Sequence, residues 1–151
     1  MKKVICVLVM FLMIPVIAIG DSANSVMAVF NSNAGYYGAM KLDSSMLTEE
    51  TAQRVVFTSG DIQIAFASTN GTSFNSTRVI CPDSAEFLPV CVCAVMCLNP
   101  STDNVLQSLG NILYSYLSVR GGQESSMGFF GTLFFNIRKE GENFKFLVGE
   151  M

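Results

Sequence analysis

The chain has 151 residues, with nine basic and twelve acidic side chains, and it contains neither His nor Trp. Without His there is no Ser-His-Asp triad, no Cys-His dyad and no His-ligated zinc or haem, so most familiar hydrolase mechanisms are excluded. Charged residues make up 14% of the chain, against roughly 25% in an average globular protein, so Ser, Thr and Asn must cover much of the surface.

Lys2 and Lys3 precede an apolar run over residues 4–19, interrupted by Pro15, and Ala18-Ile19-Gly20 stands ahead of the polar Asp21 and Ser22. A short positive region, an apolar stretch and a small-x-small site are the layout of a cleavable signal peptide, with the scissile bond between Gly20 and Asp21. The run falls short of the roughly twenty residues that a spanning helix needs. No Cys follows the small residues to carry a lipid. The expectation is a secreted or periplasmic protein, with residues 1–20 removed and residues 21–151 forming one α+β domain without a membrane span. That remainder holds seven basic and twelve acidic residues, a net charge of −5, and no basic cluster. Nucleic acid and anionic membrane surfaces are therefore poor partners for it.

Along the mature chain, two β-rich runs, residues 25–30 and 36–42, flank Asn31-Ser32-Asn33-Ala34-Gly35 and predict a hairpin. Thr48 ahead of Glu49 and Glu50 predicts a helix N-cap with acids in the first turn. A two-residue loop at Ser59-Gly60 sets Phe57 opposite Ile62 and Val55 opposite Ile64. Residues 61–67 alternate as a half-buried strand should, and Asn70-Gly71 marks a turn before a strand over residues 73–81, which completes a three-strand meander. Residues 87–98 read as a buried strand on Val90-Cys91-Val92-Cys93, although Ala94-Val95-Met96-Cys97-Leu98 also suits the end of a helix.

From Ser101 or Thr102 onward, Val105, Leu106, Leu109, Ile112, Leu113, Tyr116 and Leu117 recur at helical spacing until Gly121-Gly122 stops the helix. Its other face, with Ser108 and Ser115, carries almost no charge and suits a covered position. In the C-terminal hairpin, a loop at Glu140-Gly141 aligns Ile137 with Phe144, Phe135 with Phe146, and Leu133 with Val148, and a slip of one residue destroys the match. The opposite face sets Phe134 against Leu147. The expected architecture is α+β: a mainly antiparallel sheet, built from the meander and the C-terminal hairpin, packed by one long amphipathic helix.

Cys81, Cys91, Cys93 and Cys97 lie within seventeen residues, and in an exported chain such a cluster reads first as two disulfides. Cys91 and Cys93, two apart on a strand, do not pair with each other, which leaves Cys81 to bond one of them. The alternative is a thiolate site for zinc or copper(I), or a redox pair, using the same four residues. Asn70-Gly71-Thr72 and Asn75-Ser76-Thr77 fit the N-glycosylation pattern of a eukaryotic chain. Asp43, Glu49, Glu50 and Asp61 are the carboxylates available for glycoside chemistry, but adjacent acids more simply open a helix. No motif for a phosphate, dinucleotide or Ser nucleophile occurs, and no cofactor is implied. The sequence thus leads to an exported, non-catalytic binding or assembly protein that self-associates or holds a protein partner, with Ser108, Ser115, Phe134 and Leu147 as interface candidates.

Overall fold

A computed structural model describes residues 23–71, 73–98 and 102–150 of the chain. Gly20 and Asp21, at the expected cleavage site, lie outside the described residues. Helix α1 (Ala23–Tyr37) and a 3-10 turn (Ser44–Met46) lead into strands β1 (Leu47–Glu50), β2 (Arg54–Ser59), β3 (Ile62–Ala67) and β4 (Ser76–Pro82). Helices α2 (Phe87–Leu98) and α3 (Thr102–Arg120) follow, and then β5 (Ser125–Phe130), β6 (Leu133–Glu140) and β7 (Asn143–Glu150). All pairings are antiparallel, and the seven strands form one sheet in the order β1-β2-β3-β4-β7-β6-β5. The fold class is α+β, as the sequence predicts. The long non-local pairing of β4 with β7 joins the meander to the C-terminal hairpin. Helix α2 lies over β4 and β7, α3 lies over β5 and β6, and α1 packs along α2.

The predicted hairpin over residues 25–42 is instead α1. Ala23, Val26, Phe30 and Ala34 are buried at helical spacing, and burial of that stripe outweighs the β propensity of Val26 and Val29. The helix runs through Asn31–Gly35 because the stop comes later, at Gly38. There φ is +75°, and the Ala39 N–H donates to Ala34 O at 2.9 Å, closing the helix end. Asn31 serves as a clamp: its Nδ2 donates to Leu42 O and its Oδ1 accepts from Leu42 N, both at 2.7 Å.

The helix predicted to open at Thr48 is strand β1. The true cap lies five residues earlier, where Asp43 Oδ1 accepts from Ser45 N at 2.7 Å at the head of the 3-10 turn. The segment over residues 87–98 is likewise corrected from strand to helix. Phe87, Val90–Met96 are buried, because α2 is enclosed by the sheet, α1 and α3. A helix buried on all sides has no polar stripe, and its sequence is hard to tell from that of a buried strand. Pro89 falls in the first helical turn, where its missing N–H costs little.

The meander and the C-terminal hairpin form on the expected faces but in a register moved by two. The closing pairs are Ser59↔Ile62 and Glu140↔Asn143, so Phe57 meets Ile64 and Ile137 meets Phe146. Gly60, Gly131 and Gly141 each take the first loop position with φ near +60° (+56°, +60° and +65°), and among the described residues no other residue type has positive φ. That combination is the type II′ turn, with glycine first rather than second. Since side chains alternate with period two, the two-residue change leaves every inward side chain inward.

Candidate functional site

The sheet's two faces differ. One carries Val55, Phe57, Ile64, Phe66, Val79, Phe135, Phe144 and Phe146, all buried in the main core under the helices. No helix among the described residues packs on the other. Across six strands, one row of paired residues on that open face reads Arg54, Ala67, Ser76, Gly149, Phe134 and Phe129. The adjacent row reads Val56, Ala65, Arg78, Leu147, Asn136 and Met127. Three consecutive small residues, Ala67, Ser76 and Gly149, lower the middle of the first row between an arginine and two phenylalanines. The result is an open groove of about 400 Å³ lined by Arg54, Ala67, Ser76, Gly149 and Phe134 together with Ala65, Arg78 and Leu147. Beside it, Met127 and Phe129 are 62% and 56% exposed, with the Phe129 ring 5.3 Å from Phe134.

Charge on this face is equally uneven. Arg54, Arg78, Arg138 and Lys145 project from it with only Glu49 and Glu140 as acids. Arg54 pairs with Glu49 at 3.6 Å, and Arg138 and Lys145 both pair with Glu140. Arg78 has no carboxylate within ion-pair distance among the described residues. Its Nη2 donates to Gln63 Oε1 at 3.0 Å, whereas its Nε is shielded from solvent and has no acceptor. A buried donor left unmet is costly and rare, so this atom calls for a ligand or a structural reason.

Phe134 and Leu147, singled out from the sequence, thus line the same groove. Ser115 does not belong with them: it is 3% exposed and accepts a hydrogen bond from Ser126 Oγ at 3.0 Å between α3 and β5. The uncharged side of α3 is covered by the domain itself at this point, and Leu113, Tyr114 and Leu117 are the exposed side chains instead. The Ser108 side chain lies outside the described residues.

The expected cross-link between Cys81 and Cys91 or Cys93 is absent, and none of the four cysteines is bonded to another. The correction follows from α2: on a helix, Cys91 and Cys93 leave different sides, and Cys97 stacks on Cys93, donating from Sγ to Cys93 O at 3.3 Å. Burial raises the Cys91 thiol well above the ordinary range, Cys93 to about 12, and Cys81 in the same direction. Thiols held protonated are poor nucleophiles and poor metal ligands. Among the described residues no three His, Cys, Asp or Glu side chains gather as a metal site.

Glu49 and Glu50, adjacent on β1, point to opposite sides of the sheet, while Asp61 lies in a hairpin loop and Asp43 caps the 3-10 turn. The structure therefore assembles no carboxylate pair from these four. Asn70 lies on the exposed turn, its Oδ1 accepting from Ser73 N at 3.2 Å. Asn75 is half-buried, and its acceptor partner Thr77 sits inside β4, donating to Ala65 O at 2.9 Å, which is poor access for a transferase.

No helix among the described residues is long and apolar enough to cross a membrane. No protein-family model, curated protein or solved structure matches the chain.

Proposed function

We propose that this is an exported, non-catalytic binding protein that holds a protein partner on the helix-free face of its sheet. One observation carries the reading. The face combines an apolar cluster, a groove made by three small residues in register, and a guanidinium whose Nε has no acceptor. A face that served only as a solvated exterior would favour polar residues at the positions of Met127 and Phe129, as half-exposed antiparallel sheets commonly do. Export is supported by the signal layout at the N-terminus.

The test compares two charge substitutions in the exported protein purified from its native compartment. Phe134→Asp alters the open face, and Leu117→Asp alters the exposed side of α3 as a control. Light scattering on the unaltered protein and on Leu117→Asp should show a complex larger than the single chain, whereas Phe134→Asp should run as a folded monomer. Loss of the complex in Leu117→Asp with retention in Phe134→Asp would place the contact on the helix and refute the assignment. An unaltered protein that is strictly monomeric and carries no partner refutes it too.

A further inference from the structure

We infer that the groove receives an acidic side chain of the partner, its carboxylate paired with the Arg78 guanidinium and its apolar neighbours laid against Phe134 and Leu147. This deepens the reading of the open face as the contact surface and rests on it. Arginine presents a planar fork of donors that matches a carboxylate with two parallel hydrogen bonds. Here Gln63 already holds one nitrogen of that fork at 3.0 Å, while Nε has no acceptor among the described residues. The other three cations of the face have acidic partners, so Arg78 is the position at which an incoming carboxylate displaces no existing ion pair.

Charge also selects the occupant. The chain beyond Gly20 is net −5, while this face carries four cations against two acids. A second copy is repelled overall, whereas an acidic segment of another protein is drawn to this side. The groove is open rather than enclosed, so a free small molecule would keep much of its surface in water. Pockets for such ligands bury most of them. A side chain presented by a larger contact surface does not depend on enclosure.

The probe is a phage-displayed library of random linear peptides, selected on the exported chain and then measured individually by fluorescence anisotropy. Enriched peptides should share an Asp or Glu beside apolar residues. Arg78→Met should weaken them at least about tenfold, as expected for a charge-assisted pair, and Arg78→Lys should restore only part of the loss because it lacks the fork. Arg78→Met should at the same time unfold a few degrees higher, since it removes a buried donor without an acceptor. A variant that is more stable yet binds worse cannot owe its defect to misfolding. Peptides that share no acid, or that bind Arg78→Met unchanged while Phe134→Ser weakens them, overturn the acidic anchor and leave the face reading in place. Peptides indifferent to both substitutions, or a selection that enriches nothing, overturn both.

Discussion

Phe87→Ala is expected to destabilise the fold by about 3–5 kcal/mol, the usual range for removing a buried aromatic ring. Phe87 is fully buried at the start of α2. Its ring stacks on Tyr116 of α3 at 4.9 Å and stands 5.5 Å from Phe144 of β7, and those two rings are 5.1 Å apart. One side chain therefore joins two helices to the sheet. The site is poorly able to collapse into the vacancy, because the Tyr116 hydroxyl donates to Asp83, and Asp83 in turn pairs with Arg120 at 3.1 Å. Set against a total of roughly 5–15 kcal/mol for a domain, the loss is severe. Urea unfolding measures it, with Phe87→Leu as a milder companion expected to cost about half as much, since it keeps four of the seven side-chain carbons. A loss below about 1 kcal/mol for the Ala variant would mean that the three rings are not packed as described.

Alkaline pH is expected to remove stability progressively between about pH 9 and pH 12. Burial raises Cys93 from 9.0 to about 12 and Tyr116 from 10.0 to about 12, and it raises Cys91 well above 9.0. For Tyr116, the Asp83 carboxylate adds to the effect by accepting its proton-bearing hydroxyl. A group whose folded value lies above its unfolded one holds its proton more tightly in the native state. Its contribution is complete below the unfolded value, and it declines as the unfolded chain ionises, until the native group ionises as well. For Cys93 alone, three units at about 1.4 kcal/mol each imply on the order of 4 kcal/mol across the window. Denaturant midpoints taken at steps from pH 8 to pH 12 should fall steadily, and Cys93→Ala should flatten part of that slope. A midpoint constant through pH 11 would contradict the burial of these groups.

Much of the sheet is legible in the sequence because its signals are local. Alternation places Phe57, Ile64, Phe135, Ile137, Phe144 and Phe146 on the inward face, and the structure buries all six. Register depends on where each glycine sits in its loop, and the first position of a type II′ turn differs by two in pairing from the second. Helix α3 is readable from its period and its Gly121-Gly122 stop, yet its rotation is not. Leu113 and Leu117 are exposed while Ser115 is buried, because the hydroxyl of Ser115 is matched to Ser126 on β5, a contact that no local pattern encodes. Helix α1 carries a stripe at Ala23, Val26, Phe30 and Ala34 that competes with β-branched neighbours, and α2 carries no stripe at all.

The candidate site is half legible for the same reason. Phe134 and Leu147 follow from the second face of the C-terminal hairpin. Arg78 and the small residues Ala67 and Ser76 join them only through the pairing of β4 with β7, about seventy residues apart in sequence. Alternation within residues 61–67 and 73–81 puts Ala65, Ala67 and Arg78 on the sides opposite Ile64 and Val79, but nothing local shows that those sides abut the hairpin.

The claim that the helix-free face is the contact surface is tested most directly by photo-cross-linking in the producing cells. A photoreactive amino acid is placed at position 134 in one protein and at position 114 in another. Tyr114 is 73% exposed on α3 and controls for chance encounter. The expected result is one discrete adduct from position 134, reduced by Arg78→Met, and none from position 114. An adduct from position 114 with none from position 134 would contradict the account.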